Sequence, residues 1–400
     1  MFNLSLINSF FCFIIPASLL AYGKSYSFAI LPFMVIGLIC AYWCDKSKFD
    51  RNAKLIGLSF FAYFACTLIS LLLKGGSFGN LDAPSRAILI LPTLLLLLHA
   101  KPNRKVLIYG IITGSIVVGG VALYHHLILH VRPLAVWRFM VIQSGNIAMS
   151  MGLFSLVIAF YLKRKNSSNI VTLMAFIAAA SGIFASLISG ARGGWVLSPF
   201  ILLFILWCYR KHINNKLKIT ALLGITVVVF LSYPMVEKRV ELAVNDIDNY
   251  IANNNPSTSV GTRFDLWKGG VHAFIHNPIF GTGYENRYQS KLEAIKDGWA
   301  SKVILRHSRL HNSYIEEASI KGVIGIAILL LFFCLPLFVF IKGYQVNNNI
   351  YSLLGIVHIT SILGYSLTQN FINHQSGMLF YIAFTVLFYA YSQHYTEEHV

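Results

Sequence analysis

Residues Gly145 to Lys165 read GNIAMSMGLFSLVIAFYLKRK: eighteen residues without a charge, closed by Lys163, Arg164 and Lys165. A helix rising 1.5 Å per residue needs roughly 20 predominantly apolar residues to cross a bilayer's hydrocarbon core. A basic cluster at one end is how such a segment declares its sidedness. Working outward, the same unit recurs. Twelve apolar segments qualify as membrane helices: 4–22, 26–44, 54–73, 86–99, 105–125, 145–162, 169–189, 193–210, 217–235, 312–341, 350–369 and 375–393. The composition agrees, since 56% of the 400 residues are hydrophobic and only 12% are charged, about half the charged share of an ordinary soluble chain.

The net charge of +17 does not point to nucleic acid, because the basic residues sit in short clusters between apolar runs. One set of short loops holds Lys46, Lys48, Arg51, Lys54, Lys101, Arg104, Lys105, Lys163, Arg164, Lys165, Arg210, Lys211, Lys216, Lys218 and Lys342. The alternate loops hold Lys24, Lys74, Arg86, Arg132, Arg138 and Arg192. This bias alternates in register with all twelve spans, so the richer set is expected on the cytoplasmic side. Both termini are then cytoplasmic, and the loop of about 236–311 faces outward. The N-terminal run lacks a basic region before it and is expected to remain as the first helix. The organisation expected is an all-α polytopic membrane protein: helices 1–9 over 1–235, an outer loop subdomain over 236–311, and helices 10–12 over 312–400.

The six cysteines, Cys12, Cys40, Cys44, Cys66, Cys208 and Cys334, all fall in apolar runs and offer neither a disulfide framework nor zinc spacing. The large loop reads as two helices. Val236, Val240, Val244, Ile247 and Ile251 recur at helical spacing. A second helix is expected to begin near Thr262, with Phe264, Trp267, Val271 and Phe274 on one face, and to stop at Asn277-Pro278.

Several charges in or near the apolar runs need a reason. Arg192 lies in Ser189-Gly190-Ala191-Arg192-Gly193-Gly194, with no acid nearby in sequence, so it snorkels or meets an anionic ligand. Arg263 falls where the second loop helix is expected to start, and a helix N-terminus with an arginine suits phosphate oxygens. Arg86 and Arg138 lie on the same side and could widen a basic cavity or anchor at the interface. His311, opening the tenth span, could serve as a general base held neutral by the helix N-terminus, or cap that helix. Glu316 and Glu317 should pair or face a cavity; Lys321 is placed to pair with Glu317. Gly322 and Gly325 would let another helix approach closely. His272 and His276 have metal-like spacing, but no third ligand is evident in the sequence, so no metal is expected.

His311-Asn312, nine residues, Gly322, two residues and Gly325 together resemble a pattern of the O-antigen ligase and polymerase superfamily. Ser189-Gly190-Ala191-Arg192 and Val260-Gly261-Thr262-Arg263 with Trp267 resemble the family's two arginine motifs, in the family's order. The segment from Glu237 to Tyr250 is similar to lipopolysaccharide O-antigen ligases. The resemblance implies a GT-C-like membrane enzyme, a glycosyltransferase. It implies that O-antigen moves from undecaprenyl diphosphate onto a sugar of lipid A–core, with inversion and without metal, nucleotide or other cofactor. His311 would be the general base, Arg192 and Arg263 the diphosphate binders, Asn312 a substrate contact and Arg138 the one candidate from the N-terminal half; Arg86 is added as a substrate contact from its outer-side position, not from the resemblance. Partners would be the two lipid-linked substrates and membrane lipids, at the periplasmic face of a bacterial inner membrane. The alternatives are an O-antigen polymerase or protein O-oligosaccharyltransferase of the same superfamily, and more distantly a transporter of lipid-linked sugars.

Overall fold

A computed structural model describes residues 3–211 and 214–395. Among them are fifteen α-helices and no strand. The first nine are α1 (Leu4–Ser18), α2 (Ser25–Cys40), α3 (Arg51–Lys74), α4 (Asp82–Leu89), α5 (Leu91–His99), α6 (Val106–Leu127), α7 (Val141–Arg164), α8 (Asn169–Ser189) and α9 (Ser198–Tyr209). After them come α10 (Asn215–Asn253), α11 (Ser259–His276), α12 (Arg287–Lys296), α13 (Ser313–Asn347), α14 (Ile350–Thr368) and α15 (Gln375–His394). All twelve apolar segments fall on helices, and nine helical segments among the described residues are long and apolar enough to cross a membrane. The chain is an all-α, multi-pass membrane protein. The side chains of Lys216 and Lys218, counted among the basic loop residues, lie outside the described ones.

The opening stretch forms the centre. The membrane span on α7 is buried throughout, while that on α8 is well under half buried. That contrast separates an interior helix from one facing lipid, since lipid tails leave no reason to hide apolar surface. Small residues let α7 and α8 cross tightly: a Cβ on Gly182 would lie 2.6 Å from the Gly152 nitrogen. On the other side α7 meets α14 and α15. There Phe154 stacks with Phe380 and Phe384 around the buried His358, whose Nε2 donates to the Tyr381 carbonyl at 3.0 Å.

The loop region departs from the sequence expectation in three ways. The helix of the ninth span does not stop at the membrane; α10 runs unbroken past Pro234 to Asn253. A third loop helix, α12, follows the turn at Gly281–Gly283. Its sequence RYQSKLEAIK lacks a strong apolar stripe, and only Ser290, Lys291 and Ala294 are buried. Finally, α11 begins at Ser259, capped by Thr258, whose Oγ1 accepts from the Gly261 N–H at 3.1 Å. Thr262 is not the cap; its hydroxyl donates to the Pro256 carbonyl at 2.7 Å. The subdomain closes on its own small core of Leu266, Ile304 and Leu310, flanked by Trp267, Ile295 and Ile315.

Candidate active site at the loop-bearing face

The loop subdomain is fastened to α13 at a break in that helix. Gly322 has φ 67° and ψ −156°, which an L side chain resists. The interruption frees backbone groups, and the turn segment 278–283 satisfies them. The N–H groups of Thr282 and Gly283 donate to Ser319 and Ile320 carbonyls at 2.9 Å, and Val323 N–H donates to Pro278 at 2.8 Å. A Cβ on Gly281 would sit 2.2 Å from the Ile320 carbonyl carbon. Gly322 therefore admits a turn of the loop, not a neighbouring helix as its spacing with Gly325 suggested.

Two buried carboxylates brace the same junction. Glu317 pairs with Lys321 at 2.6 Å, as their spacing indicated, and Tyr63 donates to Glu317 at 3.3 Å. Glu316, 1% exposed, receives Arg287 at 2.9 Å and lies 3.8 Å from Arg309. Its other oxygen accepts from the Leu310 N–H at 2.8 Å. A buried carboxylate held this way fixes the backbone immediately before His311.

His311 lies outside α13. Asn312 is the N-cap, its side-chain oxygen accepting from Tyr314 and Ile315 N–H at 2.9 and 3.1 Å. The Asn312 amide also donates to Leu367 at 3.0 Å. Asn312 thus terminates the helix and does not touch the histidine ring, a role set by residue type at the cap. His311 itself has φ 54°, an uncommon backbone for a non-glycine residue, and is half-buried. The group that orients it is Gln369, 4% exposed, whose Oε1 lies 2.7 Å from His311 Nδ1. An amide oxygen only accepts, so Nδ1 carries the proton and Nε2 is left with a lone pair. Behind it, burial, and then the charges of Arg309 and His311, push His374 down to about 4.

Arg192 opens a 3-10 turn, Arg192–Trp195, packed against the C-terminal end of α14. Gly193 lies against the Thr368 hydroxyl, next to Gln369. Arg263, in the second turn of α11, is half-buried, and one turn later Trp267 Nε1 donates to the Leu310 carbonyl at 3.1 Å. The 3-10 turn after α8 and the helix α11 thus bring Arg192 and Arg263 to the backbone on either side of His311 and its partner Gln369. Burial, and then the neighbouring Arg192, lower the Arg263 pKa.

Two further arginines join this cluster. Arg132 donates to the Ser189 and Gly190 carbonyls at 2.8 and 3.3 Å, tying down the turn that presents Arg192. Burial, then Arg239, then Arg192 push Arg132 down to about 10, still charged at neutral pH. Arg239, on α10, approaches so closely that a Cβ on Gly190 would meet its Nε at 2.6 Å. That Nε is buried without a hydrogen-bond partner. Among the described residues no ion pair is formed by Arg132, Arg192, Arg239 or Arg263, and Asp246 is the acidic group acting on Arg192. Guanidinium groups gathered in this way, with Asp246 acting on Arg192, have the charge and geometry that suit a multiply charged anion. Arg132 and Arg239 carried no distinguishing motif; only their place in the fold singles them out.

Arg86 and Arg138 do not join. Arg86 is paired with Asp82 at 2.8 Å, and Asp82 also accepts from Gln375 at 2.9 Å. Arg138 is exposed, with φ 64°, on the loop that packs over Gly23. The sequence also passed over a polar floor inside the bundle. Gln143 and Asn146 on α7 and Asn370 after α14 are fully buried with side-chain atoms lacking partners. Asn146 lies against Gly193 and Gly194, and Gln143 against Gly377. The only signal was an amide inside an apolar run, where such groups face a cavity or a partner.

Residues 177–330, which hold both arginine motifs and His311, match the O-antigen ligase (Wzy_C) family model. An uncharacterized protein of Haemophilus influenzae is 34% identical over 97% of this chain and 98% of its own length. An O-antigen ligase of Escherichia coli is 24% identical, covering 60% of this chain and 58% of its own length. The chain belongs to the O-antigen ligase/polymerase superfamily.

Proposed function

We propose that this protein is an O-antigen ligase: it transfers O-antigen from undecaprenyl diphosphate to a sugar hydroxyl of lipid A–core. It is a glycosyltransferase of the bacterial inner membrane, with both termini cytoplasmic and the loop subdomain periplasmic. The alternation of basic loops supports this orientation. The observation that carries the reading is a histidine with a free Nε2, oriented through Nδ1 by Gln369, beside arginines that lack carboxylate partners among the described residues.

In the reaction, the acceptor hydroxyl oxygen attacks the anomeric carbon from the face opposite the diphosphate, which inverts that centre. His311 Nε2 takes the hydroxyl proton as the new C–O bond forms. The bond between the anomeric carbon and the diphosphate oxygen breaks, and its electron pair leaves with the diphosphate. Arg192 and Arg263, backed by Arg132 and Arg239, stabilise that growing charge where a metal-dependent enzyme would use a cation. The aromatic recess of Tyr250, Phe264, Trp267 and Trp299 beside Arg263 offers ring faces for saccharide units. The test is a deletion strain. A ligase mutant accumulates long polymer on the lipid carrier and makes uncapped lipid A–core. Core capped with a single repeat unit would instead identify a polymerase and overturn the assignment.

A further inference from the structure

Away from the arginine cluster, the fold supplies what the sequence lacked beside His272 and His276. Asp297, directly after α12, brings its Oδ2 to 2.9 Å from His272 Nε2. His276 Nδ1 donates to the His272 carbonyl at 2.9 Å, so its Nε2 carries the lone pair. The two imidazoles stand 4.2 Å apart between centroids. One donor atom from each of the three side chains lies within 4.8 Å of the other two. His272 is 2% exposed, with Trp299 packed edge-on against it at 5.5 Å, while His276 and Asp297 are open to solvent.

We propose that His272, His276 and Asp297 bind a divalent transition-metal ion of the zinc class, with solvent in the fourth position. Two imidazoles and a carboxylate suit Zn2+ and its neighbours, whereas Mg2+ and Ca2+ favour all-oxygen shells. A ring nitrogen held by a backbone carbonyl, as in His276, is the usual support of a metal-bound imidazole. A His272–Asp297 ion pair alone explains two of the three groups and leaves the orientation of His276 without purpose. Metal binding keeps the His272 proton on Nδ1 and frees Nε2 as the ligand. The ion joins the last turn of α11 to the end of α12. Its two histidine ligands lie about 14 and 20 Å along α11 from Arg263, at 1.5 Å per residue, so its role is to hold the helix that presents Arg263 and not to touch the diphosphate.

The test uses the full chain, purified in detergent without a polyhistidine tag, stripped with EDTA and titrated with Zn2+ and with Co2+. The expected result is one ion per chain, visible Co2+ bands of a four-coordinate site, and a rise in Tm with Zn2+. His276→Gln and Asp297→Asn should each weaken binding by about tenfold or more and abolish the Tm rise. His276 is exposed, so its variant should keep the Tm of the EDTA-treated wild type. Absence of stoichiometric binding, or binding of equal affinity in His276→Gln, overturns the proposal.

Discussion

Replacing Gln369 with alanine isolates the orientation of His311 from its chemistry. Gln369 is 4% exposed and its Oε1 holds His311 Nδ1 at 2.7 Å. Truncation removes that acceptor without touching the arginines. A neutral hydrogen bond lost in this setting costs about 1 kcal/mol, and an orphaned buried donor up to about 3 kcal/mol. With about 1.4 kcal/mol per decade of rate, transfer should slow roughly 5- to 100-fold, through kcat more than through acceptor KM. Gln369→Glu should behave differently. A carboxylate at the same place favours the imidazolium, so activity should persist, with the acidic limb of the pH–rate profile moved to higher pH. The assay is transfer from carrier-linked polymer to lipid A–core in membranes from a deletion strain, across a pH series, at matched protein levels. Gln369→Ala transferring within twofold of wild type, with an unmoved profile for Gln369→Glu, would refute the role of His311 Nε2 as base.

Three other perturbations follow from the same geometry. Gly322→Ala places a Cβ 2.3 Å from the Ile279 carbonyl oxygen at φ 67°; a loss of about 1–3 kcal/mol or more is expected, read as a lower Tm in detergent. Glu316→Gln keeps the shape but leaves Arg287 and Arg309 uncompensated beside a buried amide. A cost of about 3 kcal/mol should lower Tm and reduce transfer together, with unchanged Tm counting against the bracing role. His374 is held neutral in the fold, down to about 4 from 6.5. Below about pH 6.5 the unfolded chain therefore binds the proton more readily, and stability should fall as pH drops from about 6.5 towards 4. His374→Gln should flatten that part of a Tm-against-pH curve; an identical slope would remove His374 as its source.

The helices were legible because the bilayer leaves the backbone only helices or closed barrels, and an unbroken apolar run such as 145–162, too long and too uniformly apolar for a barrel strand, takes the first. The large loop was less legible. α12 buries little apolar area, so its period is faint, and α10 continues past Pro234 because proline's disruption is local. Arg192, Arg263 and His311 could be found because motifs name them. Gln369, Arg132 and Arg239 could not, since each matters only through distant contacts: Gln369 meets a histidine 58 residues earlier. Asp297 escaped for the same reason, being 25 residues from His272. Arg86 is held by a helical partner four residues earlier, Asp82, which its sequence position alone did not weigh.

The most direct test of the central claim is electrophoresis of lipopolysaccharide from a deletion strain carrying Arg192→Ala, Arg263→Ala or His311→Ala protein. The variants should insert at wild-type levels and yield lipid A–core without O-antigen, with polymer retained on the carrier. A normal ladder of capped lipopolysaccharide from all three would contradict the account.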